Sequence, residues 1–288
     1  MARHWGLIDL HAHSAVSDGT ESPAELVRQA ARAGLGTVAI TDHDSTAGWA
    51  EASQVARQIG VNLIPGMEFS ATNHGNIAHL LAYLFDPSNR MLVAEMAMIR
   101  AERVTRAEKI VERISVDYAL HWDDVLAHST PGTTIGRPHI ADALISRGHV
   151  VDRAEAFANI LHPGTPYYAP HYAPELPHAI ELVRAAGGVP VLAHPATKTR
   201  TGLLPRSVVA ELVDAGLVGL EVDHRDNTPQ GKRWLRKMAR EFDLVLTGSS
   251  DWHGSGKSNV LGESTTSELA LERIVELASG SAPITTWD

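Results

Sequence analysis

Residues 7–20 read LIDLHAHSAVSDGT: a short apolar run, Leu7, Ile8 and Leu10, closes on His11-x-His13, and Asp18 follows in a Ser-Asp-Gly turn. In an extended strand, residues two apart project to the same side, so the two imidazoles are spaced to grip one ion. Imidazole is the commonest biological metal ligand, and the Asp18 carboxylate offers a harder oxygen donor to a neighbouring ion. One such pair proves little in a chain with 16 histidines, where a solvated or backbone-bonded pair is the competing reading. The pattern, however, recurs along the chain.

LGTVAITDHDST (35–46) closes on Asp42, His43 and Asp44; VNLIPGMEFS (61–70) closes on Glu68; NIAHLLAYL (76–84) carries His79; VPVLAHP (189–195) closes on His194; and LVLTGSSDWHG (244–254) closes on Asp251 and His253. Taken alone, His79 reads equally well as a core histidine, and Glu68 as an acid at a helix N-terminus. Taken together, six imidazoles and three carboxylates on successive strands point to an α/β barrel, in which C-terminal strand ends converge on one face. A purely structural account would leave several carboxylates with a large desolvation cost. The expectation is a multinuclear metal site built for hydrolysis.

The rest of the chain supports α/β grammar. A strand near 7–10 leads to a helix from about Ser22 to Ala33 with Pro23 in its first turn. A strand near 37–41, a helix near 47–59 and a strand near 61–64 follow. From about Met98 the pattern turns helical, through RAERVTRAEKIVERIS, HWDDVLAH, RPHIADALISRG and RAEAFANIL. Residues 99–173 are therefore expected to form an inserted helical cap on a metal-binding barrel made of 1–98 and 174–288. A helix near 175–186 and strands near 189–193, 217–222 and 244–248 complete it. Arg103, Arg106, Lys109 and Arg113, interleaved with acids at helical spacing, read as a solvated helix face.

Composition narrows the chemistry. With no cysteine, a metal site must use nitrogen and oxygen donors, which favours iron, manganese, zinc or magnesium. A formal charge of −9 argues against holding long nucleic acid on a basic face. No leader pattern or bilayer-length apolar run is visible, so a cytoplasmic location without membrane contact is expected. Oligomeric state has no signature.

The segments LHAHSAVSDGT, AITDHDS, PGMEFS, HLLAY, LAHP and GSSDWHG, in that order, resemble the polymerase-and-histidinol-phosphatase family of metal-dependent phosphoesterases over nearly the whole chain. GRPHIADAL (136–144), the stretch from Phe157 that ends GTPYYAP, and AAGGVPVLAHP are similar to the stand-alone small phosphoesterases of that family. The resemblance implies an α/β fold of the distorted (β/α)7 TIM-like barrel type, a centre of up to three divalent ions, and cleavage of a phosphate monoester. It implies one ion on His11, His13, Glu68 and Asp251, a second on Glu68, His79 and His194, and a third, weakest, on Asp18, His43 and His253. Glu68, Asp18, His43 and His253 are the expected catalytic groups, around a metal-bound hydroxide as nucleophile. Three divalent ions outweigh three carboxylates, so the site attracts phosphate even in an acidic protein.

The expected substrate is a small nucleotide, foremost a nucleoside 3′,5′-bisphosphate losing its 3′-phosphate. Histidinol phosphate, 5′-3′ trimming of short oligoribonucleotides, a non-catalytic metal-binding accessory module, and amide or deamination chemistry are the alternatives. Arg137, at a helix start, is either a surface arginine or, as the resemblance implies, a bidentate contact to a second anionic group. His139 shares that turn. Lys198 and Arg200 after His194, and His224 and Arg225 after the LVGLEV strand, are candidates at the mouth. Asp44 either supports His43 or caps its turn.

Overall fold

The protein is described by a computed structural model over residues 4–170, 172–197 and 203–285, so the expected contacts Lys198 and Arg200 lie outside the described residues. Strand β1 (Leu7–Asp9) leads to α1 (Pro23–Arg32), β2 (Leu35–Ile40), α2 (Trp49–Ile59), β3 (Asn62–Asn73) and β4 (Asn76–Tyr83). Four helices come next: α3 (Arg90–Ile114), α4 (Trp122–Leu126), α5 (Arg137–Ser146) and α6 (Arg153–Asn159). The chain closes with α7 (Leu176–Ala185), β5 (Val189–Leu192), α8 (Arg206–Asp214), β6 (Gly219–Asp223), α9 (Pro229–Phe242), β7 (Val245–Gly248) and α10 (Glu268–Leu277). Local chemistry sets many of these boundaries. The Ser22 side chain, for example, accepts the Glu25 backbone N–H ahead of Pro23, capping α1 where its first N–H groups lack partners.

The fold is mixed α/β, with seven strands in one sheet ordered β1 to β7. All neighbouring pairs are parallel except β3–β4 and β4–β5, which are antiparallel. The strand expected near 61–64 runs on to Asn73, where His74 (φ 49°) and Gly75 (φ 77°) turn it tightly into β4. Two consecutive left-handed residues are what a two-residue hairpin needs to match strand twist. Uniform strand-helix alternation therefore fails here. No ladder joins β7 to β1 among the described residues. The segments just beyond them meet at one parallel bridge, Ala12–Trp252, with His13 N donating to Trp252 O at 2.8 Å.

One face of the sheet carries Met67, Phe69, Leu80, Leu192 and Leu220 against Leu176, Ile180, Val209 and Leu235 of the surrounding helices. The other packs Ile8, Leu10, Ile64, Leu81, Val191 and Val245 together. Truncating a side chain as buried as Phe69 to alanine costs roughly 3–5 kcal/mol. A separate apolar cluster holds α3, α5 and α6 through Ile110, Ile114, Ile140, Leu144 and Ala156. Helix α3 is continuous across residues 98/99, the expected limit of the insertion, and its Leu92, Met96 and Ile99 belong to the sheet's cluster. Among the described residues no helix is long and apolar enough to cross a membrane.

Candidate metal centre

The nine expected ligands gather at one end of the sheet. Glu68 lies inside β3 rather than at a helix start, and its neighbours Met67 and Phe69 point into the apolar cluster, so strand alternation turns Glu68 the other way. Because β4 runs backwards, His79 near its start lies opposite Ser70, and its Nδ1 reaches Glu68 Oε1 at 2.8 Å. His194 Nε2 meets the same oxygen at 3.0 Å. The other carboxylate oxygen, Oε2, is 3.2 Å from both His13 Nε2 and His43 Nδ1, and 3.4 Å from His11 Nε2. Three ligand groups result, each with its atoms within 4.8 Å of one another: His11, His13, Glu68 and Asp251; His43, Glu68 and His79; and His13, Asp18, His43 and His253. His13 and His43 thus each belong to two groups, a sharing the motif spacing did not anticipate.

The surrounding residues fix how these side chains present themselves. Glu221 accepts from His11 Nδ1 at 2.9 Å with one oxygen and from the His194 backbone N–H at 2.8 Å with the other. That contact keeps a proton on Nδ1 and turns Nε2 to the cluster, where burial is outweighed by Glu221, Glu68 and Asp251 and the pKa of His11 is raised well above its ordinary value in the metal-free protein. His253 Nδ1 likewise bonds Asp251 O at 2.8 Å, freeing Nε2. Asp42 accepts from Ser14 N, Ser14 Oγ and Ser17 Oγ at 2.7–2.8 Å, which shapes the loop carrying His13 and Asp18. Asp44 does not buttress the His43 ring. Its carboxylate instead accepts from Ser70 and from Arg103 Nε. Asp44, His194 and Asp251 hold left-handed backbone (φ 50°, 29° and 54°), a cost of about 1–3 kcal/mol each that persists only where surrounding contacts enforce it.

Several buried donor atoms have no hydrogen-bond partner: Asp18 Oδ1, His43 Nδ1, His253 Nε2 and His224 Nε2. Buried polar atoms are nearly always satisfied, and three of these four belong to the ligand groups, so the donor set fits divalent cations. Protonation, which ligation requires to be lost, divides the ligand histidines. Burial lowers His43 and His194, and burial with the Lys257 ammonium pushes His253 down to about 4, so these rings are neutral at pH 7. Burial alone would raise Glu68, but His79, His43 and His11 overturn it and hold the carboxyl well below its usual range. His13 behaves oppositely: burial opposes the proton, yet Asp251 and Glu68 win and raise it to about 9 in the metal-free cluster.

Beside the cluster lies a cavity of about 470 Å³, walled by Asp18, His43, His79 and His253 on one side and by Arg103, Arg106, Arg137, Arg153 and Phe157 of α3, α5 and α6 on the other. The reading of Arg103 and Arg106 as solvated is corrected: both are buried, whereas Lys109 and Arg113 are exposed. Arg106 donates Nε to Ala169 O at 2.7 Å and stacks over Tyr168, but its Nη2 is buried without a partner. Burial and the nearby Arg137 charge lower its pKa to about 10. Arg137 donates to Leu161 O and lies over the Phe157 ring at 5.2 Å. His139 is buried and accepts the Gly136 N–H, a helix-start contact. His224 is not at the mouth but 1% exposed against Asp251 and His194, and Arg225 pairs with Glu263 and with Ser258, a residue of the cavity wall, without lining the cavity itself. Motif reading missed Glu221, whose only signal is an acid flanked by Leu220 and Val222 inside a strand, and Arg153 and Lys257, which carry none.

The family model described as PHP domain matches residues 9–154. A 5′-3′ exoribonuclease of Haemophilus influenzae is 33% identical over 248 residues, covering 85% of this chain and 89% of that protein. A 3′,5′-nucleoside bisphosphate phosphatase of Chromobacterium violaceum is 31% identical over 257 residues, covering 87% and 88%. The solved structure of a predicted metal-dependent phosphoesterase from Bifidobacterium adolescentis superposes with a TM-score of 0.92 at 43% identity, covering 94% of this chain and 96% of that one.

Proposed function

The chain belongs to the PHP domain family of metal-dependent phosphoesterases, and on that premise we propose that it removes the 3′-phosphate of a nucleoside 3′,5′-bisphosphate. The observation that carries this reading is the unpartnered, buried Nη2 of Arg106 beside Arg137 in the cavity that adjoins the ligand cluster. Buried guanidinium groups crowded together with a donor unsatisfied are costly unless an anion joins them. A substrate with two phosphates suits this pairing: one phosphate at the cluster, a second, non-reacting one on the arginines. The 31% identical bisphosphate phosphatase supports the same assignment.

We assign His11, His13, Glu68 and Asp251 to one ion, Glu68, His79 and His194 to a second, and Asp18, His43 and His253 to a third. Divalent ions held there supply a water of lowered pKa as nucleophile and neutralise the phosphate oxygens. The chain's own residues do the rest. Glu221 keeps the His11 proton on Nδ1, away from the cluster. Arg106 and Arg137 bind the spectator phosphate alike in ground and transition states and thereby select which substrates bring an ester to the cluster. Phe157, under Arg137, and Ile77 offer apolar wall for sugar or base. We read the sheet as a distorted barrel, supported by the Ala12–Trp252 bridge, and residues 99–173 as the covering insertion, supported by its own apolar cluster.

A second reading, 5′-3′ removal of nucleotides from short oligoribonucleotides, is favoured by a larger cavity of about 950 Å³ that adjoins Glu68, His79 and His194 and continues along Leu203, Leu204 and Val208. It has room for a leaving fragment, and the 33% identical relative is an exoribonuclease. The test measures phosphate release from a nucleoside 3′,5′-bisphosphate and from histidinol phosphate, and nucleotide release from a 5′-phosphorylated oligoribonucleotide, with metal-replete protein. The highest kcat/KM is expected on the bisphosphate. Preference for the oligoribonucleotide selects the second reading, and preference for histidinol phosphate overturns both.

A further inference from the structure

The ligands are braced by different parts of the chain. His11 and His194 are held by Glu221 of β6, and Glu68 and His79 by the β3–β4 ladder. Asp18 and His253, which belong only to the group with His13 and His43, sit on loops that meet the helical insertion. Arg153, the first residue of α6, donates Nη1 to the Asp18 carbonyl at 2.9 Å. Its Nε and Nη2 are committed to a bidentate pair with Asp142 of α5 at 2.7 and 2.6 Å. Such a fork has a fixed orientation, so Asp142 aims the remaining nitrogen at the loop. The turn after His253 leans on the same guanidinium: a Cβ at Gly256 would collide with Arg153 Nη1.

The insertion reaches the third loop of this group as well. Arg103 Nε bonds the Asp44 carboxylate at 2.9 Å and Arg100 Nη1 bonds the Asp44 carbonyl at 2.6 Å, one residue from His43. Thr134 N also donates to Val16 O at 2.8 Å, next to the Asp18 turn.

We propose that one arginine of the insertion is the clamp for one metal position: Arg153, oriented by Asp142, holds the Asp18 and His253 loops in ligating register, so the ion on Asp18, His43 and His253 depends on Arg153 while the other two do not. Arg153 is a positioning residue acting on backbone and packing. The proposal rests on the three-ion reading above. It has a reciprocal side, since an ion that needs the clamped arrangement also favours it.

The test titrates chelator-treated protein with Mn²⁺, following free Mn²⁺ by electron paramagnetic resonance, with no substrate present. Wild type is expected to take up three ions, the third most weakly. Arg153→Met should leave two ions unchanged and weaken the third about ten- to a hundred-fold, the range for losing a group that orients a ligand. Gly256→Ala, which displaces the guanidinium without removing it, should weaken the same ion. The two retained sites serve as the folding control in both variants. If wild type binds three ions and neither variant alters the third, the clamp is refuted while the three-ion reading stands. Equal weakening of all three ions also refutes it. If wild type binds at most two, the three-ion reading fails and the proposal with it.

Discussion

Replacing Arg106 with methionine tests the bisphosphate assignment most directly. The native guanidinium spends Nε on Ala169 O and its face on Tyr168, leaving buried Nη2 free for a ligand. A hydrogen bond to a charged group contributes about 1.5–3 kcal/mol, so losing the contact to a spectator phosphate should lower kcat/KM roughly ten- to a hundred-fold. The methionine keeps most of the aliphatic bulk and removes the repulsion that Arg137 exerts on Arg106, which offsets part of the lost Ala169 bond in the unliganded protein. The loss should appear mainly in KM, since the spectator phosphate is held alike in ground and transition states. The decisive comparison is with a nucleoside 3′-monophosphate, which lacks the second anion. On that substrate wild type and variant should have nearly equal kcat/KM. Equal losses on both substrates, or none on the bisphosphate, would refute the second-phosphate assignment.

Glu68→Gln should abolish turnover and lower bound metal by more than one equivalent, because Glu68 belongs to two ligand groups; elemental analysis after desalting reads this directly. Glu221→Gln should weaken metal binding about ten- to a hundred-fold through the altered His11 tautomer, and titration with Zn²⁺ against a competing chelator measures it. In metal-free protein, His13 at about 9 lies above its ordinary 6.5, so its contribution to stability is complete below pH 6.5 and disappears as pH rises through 9. Melting temperatures of chelator-treated protein should therefore fall between pH 6.5 and 9, and a flat or rising trend counts against the carboxylate-rich environment described for His13.

The clustering of these side chains was legible for the residues that follow an apolar run, His11, His13, His43, His194, Asp251 and His253, whereas Glu68 and His79 lie inside their strands. His79 was legible as a ligand type, but the way it reaches Glu68 was not. That depends on β4 running backwards, and the two-residue turn at His74–Gly75 was the signal that could have given it. Arg103 and Arg106 were misread for a different reason. On a helix surface, charges three apart beside Glu102 and Glu108 look the same whether they face water or a charged cavity, and only the packing of α3 over the strand ends separates the cases. Glu221 was passed over because an acid inside a strand has no local partner that marks it; His11 lies 210 residues away.

Helix α3 has a mechanical consequence. Its first turns are embedded among the sheet's apolar side chains and its last turns among those of α5 and α6, in 25 residues with neither proline nor glycine. Sharp helix bends arise at such residues or at inserted bulges, so swinging the arginines away from the ligand cluster would require breaking a helix in mid-course or tearing out Leu92, Met96 and Ile99. A jaw that closes over its substrate is thus disfavoured along this connection. For Arg103 and Arg106 the ordering cost of binding is largely met in folding, and the encounter rate with a small anion is expected to follow diffusion and the local field.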